Sequence, residues 1–334
     1  MNAKTPEARN RGVAIAMACL LGIASIACAE SGVKGPSGTL HVTEVTTKRE
    51  PLAAGCRYQL WIPADVSVVR SLFVINMRAA GKRLFFYDPE WRAMAARHAA
   101  AMLYCEFEAK GVRDNGYGRS MLRACEQFAS ALQRPELKHA PFVLWGHSMG
   151  GRVAQDFVRY CPSRVLAFHI ALRAHPTPED LMHEEAAAMR VPGLYLMGAE
   201  DGKPKDIRAH FHRARHKGSP RAWVWLPGQT HWPRGMGFTH DQTTDEDWRA
   251  WAAHDVVVPW TEAMIQLRLP EDADPRTGPV QLASVDATRG WLGDVSTGEV
   301  ATHAQFDGDQ SKASWFPNEE VAQAWSRFSY PAPR

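Results

Sequence analysis

The sequence has little net charge and no dense group of basic residues. Its 39 Lys and Arg nearly balance its 36 Asp and Glu, so the formal net charge is only +3 over 334 residues. Proteins that bind nucleic acid usually present a strongly basic patch or stripe. The charge pattern therefore predicts no nucleic-acid partner, and it points to no other partner.

Cysteine is sparse, and its spacing is not that of a metal site. The six cysteines form no C-x-x-C pair, so a structural zinc site is not expected. Three histidines lie close together at His210, His212 and His216, but no acidic residue accompanies them in a metalloprotease-type motif. The sequence accordingly predicts no bound metal and no other cofactor.

One long apolar run lies near the N-terminus, at residues 13–27, after the basic residues Lys4, Arg9 and Arg11. The run is short for a membrane span and typical of the core of a signal peptide. We therefore expect the protein to be exported, to the periplasm or out of the cell.

Two processing sites remain open. Residues 27–29 form an A-x-A motif, and cleavage after Ala29 would make residues 1–29 a signal peptide. Residues 25–28 resemble a lipoprotein box with Ser25 in place of the usual Leu, and a lipid on Cys28 would tether the protein to a membrane. Export would also permit disulfides, but three full pairings are possible among the remaining cysteines, Cys56, Cys105, Cys125 and Cys161.

Eight short runs rich in β-branched and aromatic residues are predicted strands. They cover residues 40–45, 58–62, 72–75, 101–107, 142–145, 165–171, 193–197 and 222–226. From the third strand onward, helical patterns follow at residues 89–101, 120–132, 152–160, 178–189, 205–215 and 248–267. This alternation predicts a mostly parallel eight-stranded sheet with helices on both faces and an antiparallel edge at its start.

The main α/β domain is expected to span residues 30–269. Residues 270–334 form a C-terminal extension rich in Asp, Pro, Gly and Thr, with too few apolar residues for a core of its own. We expect this extension to pack on the main domain, and a disordered tail is the alternative.

The sequence Gly-His-Ser-Met-Gly at residues 146–150 lies between a predicted strand and a predicted helix. In that context G-x-S-x-G is typical of a nucleophile elbow, a sharp turn that exposes a serine at the edge of the sheet. Ser148 is therefore the predicted nucleophile. His147 adjoins it, and its side chain is expected to point away from the nucleophile.

A serine hydroxyl needs a base to accept its proton, and the base needs an acid to orient it. His231 follows the eighth predicted strand, and Asp201 follows the seventh, which gives the chain order Ser, Asp, His. Glu200 is the alternative acid.

The oxyanion hole requires two backbone N–H donors. Met149, the residue after the nucleophile, is expected to supply one. The loop after the third strand should supply the other, from Met77 or Arg78, with Arg78 favoured. Trp232, next to His231, and Met77 are the candidate substrate contacts.

The stretch from 72 to 267 resembles the α/β-hydrolase superfamily, in particular exported esterases similar to polyhydroxybutyrate depolymerases and feruloyl esterases. The matching residues are W-G-H-S-M-G-G at 145–151, G-A-E-D at 198–201 and G-Q-T-H at 228–231. The resemblance implies a serine-dependent carboxylic ester hydrolase that forms an acyl-enzyme, on small-molecule or polymeric esters. An acyltransferase, a serine peptidase and a non-catalytic binding protein on the same scaffold are the alternatives.

Proteins of this fold often carry a cap domain after the sixth strand. Residues 172–189, which occupy that place, suffice for one helix and its turns, so no separate cap domain is expected. The predicted site is then an open cleft that admits bulky, aromatic or polymeric esters, unless the C-terminal extension covers it as a lid.

Overall fold

All eight predicted strands are present in one sheet of nine strands. The computed structural model describes residues 24–26, 35–45, 56–77, 86–106, 116–172, 185–202, 205–234 and 243–330. The strands of this sheet are β1 Ala24–Ile26, β2 Gly38–Val45, β3 Cys56–Pro63, β4 Ser71–Asn76, β5 Ala100–Glu106, β6 Phe142–His147, β7 Val165–Ala171, β8 Gly193–Gly198 and β9 Arg221–Leu226. The predicted strand ends differ from the observed ends by at most about two residues, within the usual uncertainty of strand boundaries.

The sheet order is β1-β2-β3-β5-β4-β6-β7-β8-β9. Strands β4 to β9 run parallel to one another, whereas β3 pairs antiparallel with both β2 and β5. Apart from β1, this is the strand order of the α/β-hydrolase fold, with the antiparallel edge where the sequence predicts it.

Strand β1 was not predicted, and it lies inside the segment interpreted as a signal peptide. It pairs antiparallel with the outer edge of β2. Cleavage after Ala29 would remove β1 and leave β2 as the edge strand. Among the described residues, no helix is long and apolar enough to cross a membrane, and residues 1–23 lie outside them.

Helices cover both faces of the sheet. They are α1 Pro89–Arg97, α2 Gly116–Leu132, α3 Met149–Tyr160, α4 Ala186–Met189, α5 Lys205–His216, α6 Asp245–Ala252 and α7 His254–Arg268. Alternate residues of β4 enter two separate cores: Phe73 and Ile75 pack with α1, α6 and α7, while Leu72 and Val74 pack with α2, α3 and α5. Both faces of the central strands are therefore buried, which explains their almost continuous apolar sequences.

The helices α2 and α3 begin at Gly116 and Met149, earlier than the predicted starts at 120 and 152. Two other helix predictions are wrong in how the helix ends or continues. The pattern at 89–101 ends early, at Arg97, because Ala99 adopts a left-handed φ of 49° and the chain turns into β5. The single helix predicted at 248–267 is two helices, α6 and α7. Ala253 lies between them with a left-handed φ of 52°, and its N–H caps the carbonyl groups of Ala250 and Arg249. Most of the predicted helix at 178–189 lies outside the described residues.

The C-terminal extension has regular structure and borders the last strand of the sheet. It contains β10 Trp291–Gly293, β11 Val300–Thr302, β12 Ser314–Phe316 and α8 Glu319–Ser329. Strands β11, β10 and β12 form a small antiparallel sheet. Its apolar residues join the core of the main sheet instead of forming their own, notably Leu292, Trp315, Phe316 and Trp325.

Side chains of the extension bind the free backbone edge of β9. The hydroxyl group of Ser314 accepts a hydrogen bond from Trp223 N–H (2.8 Å) and donates one to the Trp223 carbonyl oxygen (3.2 Å). Trp325 Nε1 donates to the same oxygen (2.7 Å), and Ser329 Oγ donates to the Trp225 carbonyl oxygen (3.1 Å). An unpaired strand edge is a template for aggregation, and here side chains satisfy its polar groups.

Two buried arginines also donate hydrogen bonds to the extension. Arg215, on α5, donates to the carbonyl oxygen of Ala313 (2.6 Å). Arg268, at the end of α7, donates to the carbonyl oxygens of Val165 (2.7 Å) and Leu166 (2.6 Å) on β7 and of Ala283 (3.1 Å) in the extension. Burial lowers the pKa of Arg268 to about 10, so the guanidinium group remains charged at neutral pH. The extension is therefore joined to the main domain by charge-assisted bonds as well as by apolar contact.

Ser314→Ala should lower the free energy of unfolding by about 1–3 kcal/mol, since it leaves the buried Trp223 N–H without its acceptor. Urea denaturation of the purified protein measures this change. Ser296→Ala, at an exposed serine of the same extension, is the matched control and should stay within about 0.5 kcal/mol of the parent. Equal stability of both variants would show that Ser314 does not stabilise the edge of β9.

Candidate active site

Ser148 occupies a strained turn between β6 and α3. Its backbone has φ 55° and ψ −118°, a left-handed conformation that is uncommon for a residue with a side chain. Its N–H donates to the carbonyl oxygen of Ala171, at the end of β7, over 2.8 Å. Strained residues of this kind persist only where the surrounding structure holds them, and they cluster at functional sites.

Two glycines make this turn possible. A Cβ atom at Gly146 would collide with the backbone of Gly150 and Gly151. A Cβ atom at Gly150 would collide with the backbone carbonyl group of Asn76, at the end of β4. Backbone thus packs directly on backbone around Ser148. Gly146 and Gly150 are required because no other residue type lacks the Cβ atom for which there is no room.

Ser148, His231 and Asp201 lie together in a hydrogen-bonded chain. Nε2 of His231 is 3.1 Å from Ser148 Oγ, and Nδ1 of His231 is 3.1 Å from Asp201 Oδ2. A carboxylate only accepts hydrogen bonds, so Nδ1 carries the proton and Nε2 is free to accept the serine proton. The Asp201 side chain is 8 % exposed and that of His231 27 % exposed.

The structure places Asp201, and not Glu200, beside His231. Glu200 is exposed, and its backbone N–H donates to the Gln229 carbonyl oxygen (3.1 Å). That bond joins the turn after β8 to the turn after β9. Glu200 is adjacent to Asp201, and Gln229 is two residues before His231, so the bond lies close to the contact between these two side chains. The parallel strands end at one edge of the sheet, which is why residues distant in sequence meet there.

His147 lies in the site in a way that the sequence did not reveal. Its side chain is 2 % exposed, and its Nε2 is 2.9 Å from the backbone carbonyl oxygen of His231. Its ring centroid is 4.8 Å from that of His231 and 4.7 Å from that of Trp232. Burial, with a smaller contribution from the neighbouring His231, lowers the pKa of His147 to about 3.

The remaining predicted site residues are placed as follows. Met149 is the first residue of α3, so its N–H has no acceptor within the helix and is available as an oxyanion donor. Met77 is fully buried in the core, and its carbonyl oxygen accepts a hydrogen bond from Tyr104 Oη (2.8 Å). Trp232 is partly buried, with its ring 5.5 Å from that of His231. Arg78 lies outside the described residues.

The segments that would shape the cleft also lie outside the described residues. They include residues 173–184, where a cap domain is not expected, and residues 235–242, in the loop after Trp232. Whether the cleft is open therefore stays a prediction. In the part of the chain that the structure describes, no group of three or more His, Cys, Asp or Glu is arranged to hold a metal ion.

No family model matches the sequence, and no curated protein matches it either. Among solved structures, the chain is similar to an esterase from Rhizomucor miehei, with 14 % identity over 71 % of this chain and 85 % of that one and a TM-score of 0.48. It is also similar to the fluorophosphonate-binding serine hydrolase FphF of Staphylococcus aureus (11 % identity, 68 % of this chain, 99 % of that one, TM-score 0.46). A third similar structure is a feruloyl esterase module from Clostridium thermocellum, with 13 % identity over 59 % of this chain and 84 % of that one and a TM-score of 0.42.

These similarities are distant in both sequence and geometry. The strand order of the sheet is what defines the α/β-hydrolase fold here.

Proposed function

We propose that the protein is a serine-dependent carboxylic ester hydrolase with Ser148 as nucleophile, His231 as base and Asp201 as the orienting acid. The observation that carries this proposal is the chain of two 3.1 Å contacts from Ser148 Oγ through His231 to Asp201. It begins at a serine held in the strained turn after a parallel strand, as expected for a nucleophile elbow.

In the first half of the reaction, Ser148 Oγ attacks the ester carbonyl carbon while its proton passes to His231 Nε2. The tetrahedral intermediate collapses as His231 returns that proton to the leaving alcohol, which leaves an acyl-enzyme on Ser148. In the second half, His231 removes a proton from water, the water oxygen attacks the acyl carbon, and Ser148 regains its proton as the acid departs.

Charge develops at two places during these steps. The carbonyl oxygen becomes an oxyanion, for which we assign the Met149 N–H and a second N–H from the chain after β4, at Met77 or Arg78. His231 becomes an imidazolium, which the mostly buried Asp201 carboxylate stabilises. His147, uncharged at neutral pH, adds no repulsion.

The proposed substrates are small-molecule or polymeric esters with a bulky or aromatic group. Trp232 supports this choice, because its ring lies beside the base and offers an apolar surface to an acyl or alcohol group. Export to the periplasm or the outside, with a lipid tether if Cys28 is acylated, belongs to the same proposal. The same three residues would serve an acyltransferase or a peptidase, and product analysis with added alcohols and peptides separates these activities.

Ser148→Ala should abolish ester hydrolysis without unfolding the protein, because loss of the nucleophile of a triad reduces kcat about a million-fold. Hydrolysis of p-nitrophenyl acetate measures the rate, and circular dichroism measures the fold. If the folded variant keeps more than a few per cent of the parent activity, Ser148 is not the nucleophile.

Asp201→Asn should reduce kcat by about ten-thousand-fold, because the amide no longer selects the His231 tautomer that accepts the serine proton. Glu200→Gln, at the adjacent exposed carboxylate, is the matched control and should remain close to the parent. The opposite ranking would assign the acid role to Glu200.

Activity should rise with pH as the histidine base becomes neutral, because only a neutral ring accepts the serine proton. His147, with its pKa lowered to about 3, is neutral from about pH 5 upward and should add no second step to the profile. The measurement is kcat/KM for p-nitrophenyl acetate against pH. A flat profile would argue against a histidine base.

A further inference from the structure

We propose that His147 is a positioning residue that holds the backbone of His231 in the place from which its ring can accept the proton of Ser148. This inference rests on the proposed function, since the position of His231 matters to a rate only if His231 is the base. The sequence alone assigned no role to His147, the second residue of the G-x-S-x-G motif.

His231 lies in the turn after β9, whose residues 227–234 belong to no helix or strand. Within it, Thr230 Oγ1 donates to the Trp232 carbonyl oxygen (2.9 Å), which is a local bond. The bond from Glu200 N–H to Gln229 joins the turn to the segment that carries Asp201. Neither bond connects the turn to the strand that carries the nucleophile.

His147 makes that connection. It is the last residue of β6 and immediately precedes Ser148, so it shares the fixed backbone of the elbow. Its Nε2–H donates to the carbonyl oxygen of His231 itself over 2.9 Å. His147 is therefore joined to Ser148 by a peptide bond and to the backbone of His231 by a hydrogen bond.

The His147 ring is itself fixed by its neighbours. Its ring centroid lies 4.8 Å from that of His231, 4.7 Å from that of Trp232 and 5.1 Å from that of Trp251, on α6. Trp251 is 1 % exposed and His147 2 % exposed. A ring enclosed in this way has little freedom to rotate, so its hydrogen bond defines a position and not a range of positions.

The protonation state of His147 suits this task. A backbone carbonyl oxygen only accepts hydrogen bonds, so Nε2 must carry the proton of the neutral ring. The lowered pKa keeps the ring neutral wherever the enzyme would operate. A charged ring here would oppose the positive charge that His231 gains during catalysis, whereas the neutral ring supports His231 without opposing it.

A small displacement of the His231 ring should have a large effect on the rate. Misplacement of a reacting group by about 1 Å can reduce a rate about 100-fold. Loss of the His147 donor should therefore lower kcat by about 10- to 100-fold. KM should change much less, because His147 is 2 % exposed and has almost no surface that a substrate could contact.

Three variants at position 147 test this inference. His147→Leu keeps a similar volume without a donor, His147→Gln offers an amide N–H at a similar reach, and His147→Asn offers one too short to reach the carbonyl group. We expect kcat for p-nitrophenyl acetate to fall about 10- to 100-fold in the Leu and Asn variants and to recover largely in the Gln variant. Thermal unfolding of each variant shows whether any loss follows from instability.

A measurement on the parent protein complements the variants. Nitrogen NMR of its histidine side chains should show His147 as the Nε2–H tautomer, without titration between about pH 5 and 8. Titration in that range, or the Nδ1–H tautomer, would overturn the inference. A folded His147→Leu variant with the parent kcat, or a folded His147→Gln variant as slow as His147→Leu, would overturn it as well.

Failure of the proposed function has a different signature. In that case the parent protein hydrolyses no ester, or Ser148→Ala is as active as the parent. If the parent is active and Ser148→Ala is not, the function stands, and the position-147 variants decide the role of His147 alone.

Discussion

The close contact of backbone with backbone around Ser148 is the constraint on which the rest of the site depends. Gly146, Gly150 and the carbonyl group of Asn76 meet where no Cβ atom fits. This contact holds Ser148 at a positive φ that a flexible turn would abandon, and it brings the end of β4 against the start of α3. The proposed nucleophile and the expected oxyanion donors are thereby placed by a single packing arrangement.

The other two side chains of the proposed triad, Asp201 and His231, lie near Ser148 because of the order of the strands in the sheet. Asp201 follows β8 and His231 follows β9, and both strands run parallel to β6. Their carboxyl ends share one edge, so short turns suffice to bring the side chains into contact. The edge of β9 is in turn bonded by Ser314, Trp325 and Ser329 of the C-terminal extension. The extension is thus bonded to the strand that precedes the proposed base, His231.

The sequence was sufficient for those features that depend on local pattern. The eight strands and the strained turn at Ser148 follow from apolar runs and from glycine spacing, and the contact of Asp201 with His231 follows from its position after a strand. The catalytic roles of these residues stay a proposal. The break at Ala253 was missed because alanine is a strong helix former and carries no signal of a left-handed conformation. The contacts of Ser314 with β9 and of His147 with His231 were missed because each joins residues far apart in the chain.

The most direct test of the account is covalent labelling of the folded protein with a fluorophosphonate, followed by peptide mass spectrometry. Such reagents react with a serine only when a base activates its hydroxyl group. If Ser148 is the nucleophile, a single adduct forms on Ser148, and a hydrolysable ester substrate slows its formation by competition. An adduct on another serine, or none on a folded protein, would contradict it.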